Sequence, residues 1–252
     1  SGTVVEAGPA ATGCALGTRV MIRPTSCGTC RDCSQGRPYL CRNDRRSIGI
    51  GDLPGGFAEY LRAYPAMLIP IPDGVDSRNA ALAEAFAASL HGIKTSRAQG
   101  GSALVIGGGP IGLALVRLLK VLDFGPIALS EPVPEKRALA ERFGADILVD
   151  PSEDNLLLRS LEDTQGIGYT SVFECSGIPA LASEALRCCA NGGTVTIVSV
   201  IMKNIEFSPM ILNFKEIWLT GSYSNTHAEN RQCLEWMAQG LVDGRPLISD
   251  VI

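Results

Sequence analysis

Ala103-Leu-Val-Ile-Gly-Gly-Gly-Pro-Ile-Gly112 decides how the rest of the chain is read. Ala103–Ile106 is a short, wholly apolar strand. A G-x-G-x-x-G turn follows at Gly107, Gly109 and Gly112, and Pro110 and Ile111 open a helical segment that runs to Leu122. The pattern is weak alone, but here it follows a strand and opens a helix. Each glycine has its own task. Gly107 lets the chain turn tightly, Gly109 lets the backbone approach a pyrophosphate, and Gly112 lets helix and strand pack closely. Free N–H groups and the helix dipole then favour phosphate charge.

Beyond Leu122, short apolar strands alternate with helices. Strands are expected at Pro126–Ser130, Ile147–Val149, Ser171–Glu174, Thr194–Ser199 and Ile217–Thr220. Helices are expected at Pro134–Phe143, Glu153–Leu161, Pro179–Cys189 and Ala228–Gln239. Apolar strands alternating with helices mean a parallel sheet covered on both faces. Six strands in two halves match the α/β doubly wound (Rossmann) layout. The strand ending at Ser130 delivers Glu131 about 20 residues past the glycines, where a carboxylate accepts both ribose hydroxyls of NAD. The same charge repels the extra phosphate of NADP. Glu131 therefore points to NAD, although Lys136 and Arg137 follow closely enough to permit some NADP binding.

Upstream the texture differs. Residues 1–75 read as β-rich and irregular, with strand candidates at Thr3–Ala7, Arg19–Arg23, Phe57–Leu61 and Ala66–Ile71. An Ala-rich helix is expected over Asn79–Ile93. Within the β-rich part, Cys27, Cys30, Cys33 and Cys41 give C-x2-C-x2-C-x7-C. Four thiolates so spaced surround one Zn²⁺ tetrahedrally, and Gly28 and Gly36 let the loop fold back. With every position filled, such a zinc is structural. An iron–sulfur cluster is the rival reading.

The other five cysteines, Cys14, Cys175, Cys188, Cys189 and Cys233, are scattered. An odd total with two adjacent members is no disulfide framework, which favours the cytoplasm. Cys188 and Cys189 read as helix packing residues, and nothing suggests a base to make Cys175 a nucleophile. His91 and His227 read as helix residues. The net charge of −4 disfavours a nucleic-acid partner, and no uninterrupted apolar run of about 18 residues proposes a membrane span. The N-terminus has no signal-peptide pattern and reads as the inside of a strand.

These motifs together resemble the medium-chain, zinc-dependent alcohol dehydrogenase family, in particular its sorbitol, butanediol and threonine dehydrogenase branch. The resemblance runs from Gly2-Thr-Val-Val and Gly17-Thr-Arg-Val20 through the cysteine lobe, Gly55-Gly-Phe-Ala-Glu-Tyr60 and the glycine turn. It continues through Phe143-Gly-Ala-Asp146, Phe173-Glu-Cys-Ser-Gly177, Gly192-Gly-Thr-Val195 and Lys215-Glu to Gly221-Ser222, in the family's order. It implies a partial GroES-like catalytic domain over residues 1–88, an NAD-binding domain over 89–224, and a return toward the catalytic domain over 225–252. The complete cysteine lobe argues against a zinc-free quinone reductase relative.

The implied reaction is hydride transfer between a secondary alcohol or polyol and NAD, assisted by a second, catalytic zinc. In the family that zinc takes a Cys, a His within Gly-His-Glu, and a third Cys or Glu. The first two would fall upstream of Ser1. Glu84 matches the third, with Ala85 where the sorbitol branch has Pro. The resemblance thus implies a fragment lacking most catalytic zinc ligands and inactive alone. The alternative is a non-catalytic module binding NAD and zinc. By the same resemblance Cys175, Ser176, Gly177, Ser199 and Val200 would border the cofactor, and Lys136, close behind Glu131, is a further candidate for it. Two copies would pair along the edge strand Ile217–Gly221 as a homodimer or homotetramer, with no membrane or nucleic-acid partner.

Overall fold

The computed structural model describes residues 1–9, 11–13 and 15–250, so Cys14 lies outside the described residues. The chain divides into two units, Ser1–Ala87 with Ser224–Arg245, and Ala88–Tyr223 with Pro246–Ile252.

The first unit begins with a small antiparallel sheet, β1 (Gly2–Thr3), β2 (Arg19–Ile22) and β3 (Leu68–Pro70), in that order. Val20 faces Pro70 and Met21 faces Ile69 across β2 and β3, and Val20, Met21, Met67 and Ile69 are buried. β1 is shorter than the expected Thr3–Ala7, although Val4 still donates to the Thr18 carbonyl at 2.9 Å. Helix α1 (Arg31–Ser34) lies in the cysteine lobe. The expected strand Phe57–Leu61 is absent: Phe57 and Tyr60 are exposed, and no strand among the described residues offers the stretch a ladder. Alternation without a partner leaves backbone groups to water.

The expected helix Asn79–Ile93 is two helices, α2 (Ser77–Ala81) and α3 (Ala83–Ser96), broken at Leu82. Gly244 sits against the break. Its N–H donates to Asn79 Oδ1 at 2.8 Å, and a Cβ on it would lie 2.9 Å from the Leu82 side chain.

The second unit carries β4 (Ala103–Ile106), α4 (Pro110–Val121), β5 (Ile127–Ser130), α5 (Pro134–Phe143), β6 (Ile147–Val149), α6 (Leu156–Asp163), β7 (Tyr169–Glu174), α7 (Pro179–Cys188), β8 (Cys189–Ile197), α8 (Met210–Lys215) and β9 (Trp218–Gly221). The six strands form one parallel sheet in the order β6-β5-β4-β7-β8-β9. The strand order reverses between β4 and β7, where open α/β sheets bind ligands beyond the strands' carboxyl ends. β4 and β5 are buried throughout, as their uninterrupted apolar sequences require of strands covered on both faces.

α6 begins at Leu156, three residues later than the sequence suggested. Asp150 holds the Ser152 N–H at 3.0 Å, and Asn155 caps the helix by accepting from Leu158 N at 3.0 Å. β8 starts earlier than expected and stops at Ile197. Helix α8 was not foreseen; it is short, and Met210 and Phe214 on it are exposed. The chain then returns to the first unit with α9 (His227–Ala238), opened by a capping box of Thr226 and Glu229. No helix among the described residues is long and apolar enough to cross a membrane.

Candidate functional site

The glycine turn is built at the carboxyl end of β4. Gly107 has a left-handed φ of +105°, which favours glycine there. A Cβ on it would also lie 3.0 Å from Ser176 N, so the turn passes close against the end of β7. A Cβ on Gly112 would fall 1.9 Å from the Gly107 carbonyl oxygen, so α4 packs here only without one. Gly109 differs. It is the N-cap of α4, no side chain caps the helix there, and a Cβ on it would meet nothing within 4 Å. Pro110 brings no N–H, but the amides of Ile111 and Gly112 belong to the first helical turn, which has no intrahelical acceptors. Open space beside orphan donors fits the diphosphate of a dinucleotide.

Glu131 follows β5 and is 5% exposed. Its Oε2 accepts from Gly108 N at 2.7 Å and its Oε1 from Val133 N at 3.0 Å. A carboxylate offers about four lone-pair positions, so two backbone donors leave capacity for a ribose diol. Lys136 Nζ is 3.9 Å from Oε1. Arg137 is committed elsewhere. Its Nη1 donates to the carbonyls of Glu131 and Pro132, each at 2.7 Å, and its Nη2 pairs with Asp150 at 2.8 Å. The reading of the sequence named Gly107, Gly109 and Gly112 but missed Gly108, the residue in contact with the acid. Its signal was a glycine where the motif admits any residue.

The neighbouring rim is organised by Glu174, a second residue missed. This fully buried carboxylate accepts from Ser176 N at 2.7 Å, from Gly177 N at 3.0 Å, and from the hydroxyls of Ser176 and Ser199. Its carbonyl oxygen accepts from Val198 N at 2.9 Å and Ser199 N at 3.1 Å. One residue thus fastens the loops after β7 and β8. Cys175, Ser176 and Gly177 follow β7, and Ser199 and Val200 follow β8, on the same rim as the glycine turn. Val200 is 81% exposed. Burial, then the charge of Glu174, push the Cys175 thiol well above its usual range, so no thiolate forms there at neutral pH.

In the lobe, the sulfurs of Cys27, Cys30, Cys33 and Cys41 all lie within 4.8 Å of one another. Cys30–Cys33 is 3.5 Å, Cys27–Cys41 is 3.6 Å, and Cys27–Cys33 and Cys30–Cys41 are each 3.9 Å. A tetrahedron with Zn–S of about 2.3 Å has edges of about 3.8 Å, so the donor set fits one zinc ion. A cluster of several irons would need its thiolates further apart. Gly28 and Gly36 have φ of +74° and +77°, the left-handed bends that fold the loop back. Backbone N–H groups of Thr29 and Cys30 pull the Cys27 thiol down to about 6, while burial pushes Cys33 up to about 11. The bends are buttressed by Arg37, which pairs with Asp32 at 2.9 Å.

Glu84, at the start of α3, is exposed and accepts from Asn225 Nδ2 at 3.0 Å. Asn225 Oδ1 accepts from Arg23 Nε and from Asn230 Nδ2, each at 2.8 Å. Arg23, Asn225 and Asn230 are buried. Burial, then Arg45, draw the Arg23 guanidinium down to about 10. Glu84 is thus held by an ordered polar chain, separate from the four-cysteine group. His91 is buried on α3, and His227 is the first residue of α9, its imidazole drawn down by burial and then by Arg23. Cys188 and Cys189 are buried packing residues.

The zinc-binding dehydrogenase family matches residues 110–239, and the alcohol dehydrogenase GroES-like domain matches residues 1–73. An L-threonine 3-dehydrogenase of Rhizobium rhizogenes is 30% identical over 98% of this chain and 72% of its own length. Sorbitol dehydrogenase of Bacillus subtilis is 30% identical over 93% of this chain and 67% of its own. Among solved structures, one described as a zinc-binding dehydrogenase from Sinorhizobium meliloti 1021, bound to NADP, is 35% identical with a TM-score of 0.88. It covers 96% of this chain and 72% of that one. Across curated relatives this chain spans between 63% and 73% of their lengths.

Proposed function

The chain belongs to the medium-chain family of zinc-binding alcohol dehydrogenases, and from that premise we propose an oxidoreductase that moves a hydride between a secondary alcohol or polyol and NAD. The observation that carries this is the pairing of the open Gly109 cradle with the carboxylate of Glu131, which is fixed to the adjacent Gly108 amide at 2.7 Å.

A bound nicotinamide dinucleotide supplies the hydride acceptor for oxidation and the donor for reduction. The chain's residues supply its binding. Amides of Ile111 and Gly112 hold the diphosphate, with Pro110 setting the entry to the helix. Glu131 grips the ribose, with Lys136 beside it. Glu174 fixes the loops in which Cys175, Ser176, Gly177, Ser199 and Val200 border the cofactor. The Sinorhizobium relative carries NADP, which supports a dinucleotide. Glu131, with Arg137 committed to Asp150, supports NAD as the form taken here.

Cys27, Cys30, Cys33 and Cys41 would hold a structural zinc. A zinc at the catalytic position supplies Lewis-acid polarisation of the substrate oxygen, and Glu84, oriented by Asn225, is this chain's candidate ligand for it. The names of the relatives support alcohol and polyol substrates. The free thiols of the described cysteines support a reducing compartment such as the cytoplasm.

β9 pairs with β8 alone among the described residues, and Trp218 and Leu219 on it are not buried. An edge of that kind favours pairing with a second copy. Sedimentation should show a dimer or tetramer, and a strict monomer would argue against the pairing. The functional reading is tested by metal analysis with calorimetric titration of NAD and NADP. About one zinc per chain, as one four-thiolate site holds, with tighter binding of NAD, is expected. Metal-free protein, or equal or tighter binding of NADP, would contradict it.

A further inference from the structure

We propose that Gly108 is a specificity-determining residue: the lack of a side chain at this position is what allows Glu131 to take the ribose-gripping position and reject NADP. The inference rests on the reading of Glu131 as the ribose acceptor. Gly107 is demanded by its φ and Gly112 by the carbonyl beside it, but neither reason applies to Gly108. It is absent from the residues with a left-handed φ, so its backbone conformation is open to any L residue. What excludes a side chain is Glu131 itself. A Cβ on Gly108 would lie 2.8 Å from Glu131 Cγ, 3.0 Å from its Oε2 and 3.2 Å from its Cβ.

The first two atoms belong to a rotatable side chain, and at 3.2 Å the third needs only a few tenths of an ångström of give. An added methyl is therefore accommodated mainly by expelling the carboxylate. Expulsion costs Glu131 its 2.7 Å bond from Gly108 N and leaves it held by Val133 N alone. The acid then loses the position from which it holds a diol and repels a 2′-phosphate.

The test is a double-mutant cycle of Gly108→Ala and Glu131→Ala, read as the ratio of the NADP and NAD dissociation constants, with thermal melting as the folding control. Wild type should favour NAD. Gly108→Ala should lower the ratio about tenfold, the effect of losing one hydrogen bond to a charged group. Glu131→Ala should lower it at least as far, and adding Gly108→Ala to it should change it by less than about twofold. Folded Gly108→Ala with the wild-type ratio would overturn the proposal, as would an equal effect in both backgrounds. If Gly108→Ala alone fails to fold, the double variant, free of the two closest atoms, should fold. Its failure too would overturn the proposal. A wild type that prefers NADP would instead overturn the reading of Glu131.

Discussion

The amide of Asn225 has only one workable orientation. Arg23 offers donors only, and the Asn230 amide nitrogen is fixed by donating to the Thr226 carbonyl at 2.8 Å. Asn225 Oδ1 must face both, which turns Nδ2 toward Glu84. Asn225→Leu would leave the buried Arg23 Nε unpaired and take one of two hydrogen bonds from Asn230 Nδ2, and should lower unfolding free energy by about 2–3 kcal/mol in urea titrations. An unchanged midpoint would show that the chain of amides carries no stability. This network was not legible in the sequence, because its members lie some 141 and 202 positions apart and no spacing rule connects them. The cysteine lobe was legible, because its four ligands fall within one loop whose spacing is itself the geometry. Its metal should depend on pH. Protons compete with zinc for thiolates, so acidification should release the metal. Zinc content after dialysis over a descending pH series checks this; zinc content independent of pH down to strong acid would contradict four-thiolate binding.

At the scale of elements, the strands and helices of the parallel sheet were readable because apolar strands, Pro-initiated helices and a C-cap glycine such as Gly144 are local signals. The failures have physical causes. Phe57–Leu61 alternates like a strand, yet no strand among the described residues pairs with it. α8 is too short to show a period, and the break at Leu82 is met by Gly244, far away in the chain. α9 reaches back to His227 because Thr226 and Glu229 cap one another, a box visible in the sequence but not used in placing the helix. Thr226→Ala should destabilise the protein by about 1 kcal/mol, and Thr226→Ser should restore most of that loss. Equal stability of all three forms in thermal melts would mean the cap contributes nothing.

For the molecule as a whole, two different physical devices are at work. A parallel sheet buries enough apolar surface to present loops with fixed geometry along one rim. A small β unit instead gains order from a metal-sized thiolate cage and a chain of buried amides. The sequence disclosed the sheet and the cage, each of which rests on local motifs. It did not disclose the two carboxylates' full partners, since Glu131 and Glu174 act through contacts with residues from separate loops. The rim of the sheet is the proposed seat of a nicotinamide dinucleotide. The most direct measurement is NAD titration followed by backbone amide NMR. The amides of Gly107 to Gly112, Glu131 and Cys175 to Gly177 should shift together and saturate together. Saturable binding that leaves those amides unmoved, or no binding by folded protein, would exclude the rim as that seat.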